Sequence, residues 1–246
     1  MKAKIKFLAM FALVATMGVF SAKAGDSIKV TADIVSSYVW RGVYSGTDPS
    51  FQPTLSYLNG GLEIGVWGST NFKGTYKEAD LYVSYTFKSL KVTLTDYNWT
   101  FGKSYFNYTD SITDHIFEVS LAYTFPETFP LTISANTMVY GADKKFDMKT
   151  GTYDIKKQAY STYVELSYPY KNASFFLGIT PADGYYGDGY GNGDSFGGNA
   201  EFGVCNVGVA ATRNIKITDS FSLPVKATLG FNPQKEDAYL VFGITF

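Results

Sequence analysis

Nine charged side chains, Lys29, Asp33, Arg41, Glu63, Asp80, Lys91, Glu118, Glu165 and Lys226, fall among alternating apolar residues. Ile28-Lys29-Val30 and Val164-Glu165-Leu166 show the arrangement. Successive side chains of an extended chain point to opposite faces, so each charge lies on the face away from the apolar stripe. Facing lipid, a Lys or Arg near a bilayer midplane would cost roughly 2–4 kcal/mol. Facing a closed interior, charges of both signs have two uses. They can line a water-filled path and set its selectivity, or pair off and plug a narrow bore. The sequence leaves both open. Arg41 stands out, because it ends the first strand-like segment facing inward near the rim, with Asp33 deeper on the same face and Glu118 among its available partners.

Other chemistry is thinly represented. His115 is the only histidine and follows Asp114. An Asp-His pair serves some outer-membrane proteases, and a Ser-His-Asn set serves some outer-membrane phospholipases. No serine motif accompanies it here, so His115 reads as an exposed loop residue. One His and one Cys, at 115 and 205, do not make a zinc ligand set. Asp183, Asp188 and Asp194 lie among glycines in the segment from Pro181 to Gly198, and Gly191-Asn-Gly-Asp-Ser-Phe196 resembles part of one repeat-in-toxin unit. Those calcium-binding repeats need tandem stacking. The segment therefore reads as a flexible surface loop, or one that folds inward as a constriction. No phosphate loop, nucleophile elbow or metalloprotease motif is present. Neither a cofactor nor an enzymatic activity is expected.

The elements that would position these charges are strands. Ile28, Val30, Ala32, Ile34, Tyr38 and Trp40 form one apolar stripe, opposite Lys29, Thr31, Asp33, Ser37 and Arg41. Similar stripes begin at Phe51, Leu62, Leu81, Leu90, Phe117, Leu131, Tyr160, Phe175, Val207, Phe221 and Ala238. That makes about twelve strands, an even number suited to an antiparallel up-and-down barrel. Asn59-Gly60 is a preferred two-residue hairpin turn, because both residues tolerate φ > 0.

Connections alternate in length. Those at 59–60, 88–89, 126–130, 169–172 and 218–220 are short; those at 42–50, 70–78, 97–115, 141–158 and 181–198 are long, with 232–237 the exception. Short turns on one rim and long loops on the other are the asymmetry of an outer-membrane barrel. Aromatics also gather at strand ends. Tyr38, Trp40, Phe51, Phe117, Tyr160 and Phe231 lie towards the long loops, and Tyr57, Tyr85, Phe87, Tyr123, Phe125, Tyr168, Phe175, Phe221 and Phe246 towards the short turns. Two such girdles around an aliphatic band suit a membrane-spanning sheet.

Lys2, Lys4 and Lys6 precede an apolar run from Phe7 to Phe20, followed by Ala22-Lys23-Ala24. This reads as a secretory leader over 1–24, cut before Gly25, with one barrel domain over 25–246. Without the leader's four lysines, 17 basic residues face 22 acidic ones, a net charge of about −5. Such a balance lacks the basic footprint that nucleic-acid binding needs.

Ser36-Ser-Tyr-Val-Trp-Arg-Gly42, Asp48-Pro-Ser-Phe-Gln-Pro53 and Gly61-Leu-Glu-Ile-Gly-Val-Trp-Gly-Ser69 together resemble the TorF-type porin family. Ser37 departs from the acidic or amide residue usual there. Ala238 to Phe246, alternating and ending on Phe, resembles the closing strand of bacterial outer-membrane barrels. The resemblance implies an outer-membrane barrel with porin-like function. With the alternation and the unequal rims, the expectation is an all-β transmembrane barrel in contact with outer-membrane lipid, both termini periplasmic, passing small hydrophilic solutes. It supplies no catalytic or substrate residues. A non-conducting barrel whose loops bind a partner is the alternative, and an outer-membrane hydrolase the third.

Overall fold

The computed structural model describes residues 27–99, 105–110, 112–147, 152–182, 184–186 and 202–246. The leader at 1–24 lies outside the described residues, as do Asp183, Asp188 and Asp194 of the glycine-rich loop. In chain order the strands are β1 (Ser27–Val35), β2 (Tyr38–Trp40), β3 (Val43–Gly46), β4 (Ser50–Asn59), β5 (Leu62–Asn71), β6 (Lys77–Phe87), β7 (Leu90–Asn98) and β8 (His115–Thr124). They continue with β9 (Thr132–Gly141), β10 (Lys144–Asp147), β11 (Thr152–Gln158), β12 (Thr162–Tyr170), β13 (Ala173–Thr180), β14 (Gly203–Lys216), β15 (Ser222–Asn232) and β16 (Asp237–Thr245). Among the described residues twelve of these close into an antiparallel barrel in the order β1-β16-β15-β14-β13-β12-β9-β8-β7-β6-β5-β4. The other four form two hairpins, β2–β3 and β10–β11, both on the long-loop side.

The period of two sorts side chains as the sequence predicts. Leu55, Leu121 and Leu240 point outward and are 49%, 47% and 54% exposed. Ser56, Ser84, Glu118, Asn136 and Asn206 point inward and are buried. The barrel is thus apolar outside and polar inside. Tight turns keep this register: Lys88 and Lys171 sit at φ near +55° in the β6–β7 and β12–β13 turns. At the β4–β5 hairpin Asn59 pairs with Leu62, so the central residues are Gly60-Gly61 and not Asn59-Gly60. The turn shifts because pairing Asn59 in the ladder satisfies one more pair of backbone groups.

Two bulges adjust the parity locally. Glu118 pairs with Met138 whereas Phe117 pairs with Tyr140, leaving Val139 as the extra residue of β9. Opposite β13, Cys205 is the extra residue of β14, so Cys205 and Asn206 are both buried. An extra residue in one strand re-aims the side chains beside it.

Inward glycines meet aromatic rings on the neighbouring strand. A Cβ built on Gly65 would come within 2.5 Å of Tyr82, on Gly178 within 2.2 Å of Tyr163, on Gly208 within 2.6 Å of Phe176 and on Gly230 within 2.2 Å of Tyr239. Each ring lies over the bare backbone, where any side chain would hold it away. The device lets large rings lie flat inside a narrow bore.

The seam between β1 and β16 is short. Only Asp33, Ile34 and Val35 pair in register, with Thr245, Ile244 and Gly243, and Ala32 exchanges two backbone hydrogen bonds with Phe246. On its other side β1 pairs with β4 along its whole length, from Ser27↔Leu58 to Val35↔Ser50. Ile28 and Val30, below the seam, are 73% and 72% exposed.

Replacing Gly230 by Val should displace the Tyr239 ring and lower barrel stability by about 1–3 kcal/mol. A denaturant midpoint in detergent checks this, and an unchanged midpoint would remove the packing role given to the glycine.

Candidate functional site

The first strand-like segment does not run unbroken to Arg41. The chain leaves the wall at Ser36, whose N–H donates to Phe242 O at 2.8 Å while Phe242 N–H donates to Ser36 Oγ at 3.0 Å. Beyond it the β2–β3 hairpin folds into the bore. Tyr38 and Trp40, expected in the outer aromatic girdle, are therefore inside. Tyr38 is buried against Trp67 and Tyr76, with ring centroids 5.4 and 5.7 Å away. Trp40 packs within 5.3–5.7 Å of Tyr97, Tyr185 and Tyr186. The gain in aromatic burial away from the wall overrides the local alternation.

The hairpin turns on Arg41 and Gly42, at φ +51° and +81°. Gly42 is required there, since a Cβ would come within 2.3 Å of Cys205 O. Asn232 Nδ2 donates to Gly42 O at 3.1 Å, which seats the tip on the β14–β15 side of the wall. Arg41 then reaches to β8, five strands from β1 around the barrel. Its Nη1 and Nη2 donate to Glu118 Oε2 and Oε1 at 2.6 and 2.8 Å, a two-pronged contact. Tyr97 Oη and Ser120 Oγ donate to the same Oε1, each at 3.1 Å. Nη1 also donates to Tyr186 Oη at 2.5 Å. The guanidinium carbon lies 4.7, 5.0 and 5.8 Å from the rings of Trp40, Tyr163 and Tyr186.

Glu118 is 0% exposed and Arg41 14%. Burial works against a charge on Arg41, but the phenols of Tyr186 and Tyr97 together with Glu118 hold its proton well above its ordinary range. Around the pair, Ile116, Met138, Tyr163, Tyr186 and Cys205 form the barrel's buried apolar cluster. The bore is filled at this level.

Tyr186 reaches the cluster because its segment is tied down. Ser161 Oγ and N–H donate to the two carboxylate oxygens of Asp143 at 2.5 and 3.0 Å, and Tyr185 N–H donates to Ser161 Oγ at 2.8 Å. Burial raises the Asp143 carboxyl above its usual range, and the bonds from Ser161 and Gln158 work against that.

Arg41, Asp33, Glu165 and Lys226 line one cavity of about 590 Å³, with Tyr38 and Val39 of the hairpin beside Arg41. Gln52, Asn206, Ser167 and Ser174 complete its polar wall. Asp33 accepts from Thr245 Oγ1 at 2.5 Å, and Glu165 from Tyr163 Oη at 2.5 Å. Tyr239 Oη donates to Asn206 Oδ1 at 2.6 Å.

The remaining sequence candidates lie apart. Lys91 pairs with Glu63 at 3.3 Å, Tyr82 Oη donates to Glu63 at 2.9 Å, and Lys29 is near enough to act on the same carboxylate. Asp80 is buried and accepts from Asn98 N–H at 3.2 Å. Sequence reasoning missed Glu78, Tyr97, Tyr163 and Tyr186. The first three share inward parity with Asp80, Lys91 and Glu165, so extending the alternation by a few residues would have found them. Tyr186 sits in a loop without a periodic signal.

His115 is a correction: it opens β8 and is fully buried. Its partner is Asp96, not Asp114, with Nδ1 2.7 Å from Asp96 Oδ1. Nε2 lies 2.5 Å from Tyr105 O, and the ring stacks on Tyr108 with centroids 4.2 Å apart. Asp96 and His115 share the strand faces of Leu94 and Val119, so the described part of the β7–β8 loop folds over the wall there. A carbonyl only accepts, so Nε2 must carry a proton. Neither ring nitrogen is open to take one from a serine, as a hydrolytic base would have to.

Among the described residues no group of three or more His, Cys, Asp or Glu is placed to hold a metal ion. Among the described residues no helix is long and apolar enough to cross a membrane, which says nothing of strands.

No protein-family model matches the chain, and no curated protein sequence resembles it. Among solved structures, a chain from a study of the mechanism of in-meso crystallization of membrane proteins is 11% identical, over 88% of this chain and 82% of its own, with a TM-score of 0.43. OmpF of Salmonella typhi in complex with daunomycin is 9% identical, over 92% and 99%, with a TM-score of 0.33. Likenesses this distant bear on neither function nor ligand.

Removing one member of a buried ion pair strands the other charge. Glu118→Ala should therefore cost about 3–5 kcal/mol, while Arg41→Met combined with Glu118→Leu should cost less than Glu118→Ala alone. Denaturant unfolding of the three variants checks the inequality. Separately, His115→Ala should loosen residues 105–110 by about 1–3 kcal/mol and raise proteolysis there by one to two orders of magnitude. Limited proteolysis with mass spectrometry reads this directly.

Proposed function

We propose that the chain is a porin-like outer-membrane barrel whose path for small hydrophilic solutes is gated by the β2–β3 hairpin. The outer surface supports the membrane reading. Leu55, Leu121, Leu240 and Phe242 are among many large apolar side chains left about half exposed on the outward face of the wall strands, whereas a soluble monomer rarely leaves an apolar patch beyond a few hundred Å². In lipid a spanning sheet must also pair its backbone groups, and closure into one ladder provides this around the wall except along the short β1–β16 seam.

The observation that carries the gate is the Arg41–Glu118 pair, which joins the inward hairpin to a distant strand of the wall. Two buried charges are a poor choice for a permanent stopper, because desolvation cancels most of their attraction and an apolar plug would be at least as stable. They suit a closure that must also open. When Arg41 withdraws, the mixed-charge cavity holding Asp33, Glu165 and Lys226 becomes continuous with the long-loop rim. The nine charged residues then border the path, as their parity suggests.

The apolar packing of Ile116, Met138 and Cys205 around the pair favours the second reading, a non-conducting barrel that presents its long loops and the β10–β11 hairpin to a partner.

Planar bilayers separate the two. Wild-type protein should conduct rarely and briefly, and Arg41→Ala should raise the time spent open by at least about tenfold, the effect of losing ~1.4 kcal/mol of latch. Silence in both proteins would give the second reading precedence.

A further inference from the structure

We propose that the place Arg41 occupies is a binding site for small solutes carrying a guanidinium group, with Arg41 as its built-in occupant. The parts that would hold such a solute belong mostly to the wall and remain when the hairpin leaves. Glu118 offers both carboxylate oxygens to the bore, and its position is fixed by Tyr97 Oη and Ser120 Oγ at 3.1 Å each. Tyr163, on β12, presents its ring 5.0 Å from the guanidinium carbon. Tyr186 adds a second ring and a phenol oxygen 2.5 Å from Nη1. Only Trp40 departs with the hairpin.

The chemistry selects a planar, delocalised cation. A guanidinium matches a carboxylate with two parallel N–H···O bonds and lies against aromatic faces, whereas an ammonium engages as a strongly hydrated point charge. Aromatic faces add cation–π attraction that grows as water is excluded. An emptied site also has a demand to satisfy, because Glu118, 0% exposed with Arg41 in place, would lose its counter-charge. Access exists from the cavity of about 590 Å³ that Arg41 borders, where Glu165 and Asp33 add negative charge along the approach. The inference rests on the gate reading for how a solute arrives, but binding itself can be measured without conduction.

The test uses the mature chain carrying Arg41→Ala, in detergent at constant ionic strength, titrated with guanidinium chloride, methylguanidinium chloride, potassium chloride and ammonium chloride at non-denaturing millimolar levels. Guanidinium and methylguanidinium should raise its thermal midpoint and bind about tenfold more tightly than ammonium. Arg41→Ala/Glu118→Gln should lose that preference, and wild type, its site filled, should show little response. If Arg41→Ala fails to refold, the same salts are compared by refolding yield, and rescue by guanidinium alone supports the site. Equal responses to guanidinium and potassium, or a preference that survives Glu118→Gln, would overturn it. Bilayer recordings keep the two readings apart. An Arg41→Ala current that methylguanidinium does not block sinks this site and leaves the gate standing. Guanidinium-specific stabilisation without any current sinks the gate and leaves the site.

Discussion

A closed sheet fixes which way every side chain points. Once the β1–β16 ladder joins the ends of the wall, each residue faces either the outside or the bore, and a slip of one residue would exchange the two faces along a whole strand. Everything else follows from that constraint. Leu121 is outside because Ser120 is inside, and Glu118 is buried because Val119 is not. Bulges at Val139 and Cys205 are the two places where the rule is locally suspended, and both lie beside the filled section of the bore.

Inside that frame, one ion pair organises the chemistry. From the hairpin turn the Arg41 side chain satisfies a carboxylate five strands away from β1, and the surrounding rings leave Glu118 fully buried and Arg41 open towards the cavity. The bore is thereby divided into a packed upper section and a polar chamber bordered by Asp33, Glu165 and Lys226. Polar groups in such a narrow space are costly unless matched, and most of those around Glu118 and Asn206 are matched by tyrosine hydroxyls. The glycines at 65, 178 and 230 matter for the same reason, since they allow Tyr82, Tyr163 and Tyr239 to lie flat and aim their hydroxyls at Glu63, Glu165 and Asn206.

Much of this was legible in the sequence because a period of two is strong and local. The twelve wall strands, the unequal rims and the inward parity of the eight charges on those strands could be read from alternation alone, whereas Arg41 points inward from the hairpin turn. What could not be read was any departure of the chain from the wall. Tyr38 and Trp40 continue the stripe of Ile28 to Ile34, and nothing in their spacing reveals that Ser36 ends the ladder. His115 was misjudged for a related reason: its neighbour in sequence is Asp114, whereas its partner Asp96 is adjacent only once β7 and β8 pair. The Arg41–Glu118 contact was visible as one option among several, but choosing it required knowing that the hairpin turns inward.

The short seam has a consequence for the order of assembly. β1 and β16 are the first and last wall strands, so their pairing closes the largest loop the chain can form and comes late on loop-closure grounds. Ser36, which directs the hairpin into the bore, receives its hydrogen bonds from that same junction at Phe242. Glu118 therefore meets its arginine only after the wall has become continuous. Until then the nascent sheet carries a buried-to-be carboxylate still open to water. Joining the edges and stoppering the lumen are thus a single late event, and a chain caught before it would have both an unpaired border and an unfilled bore.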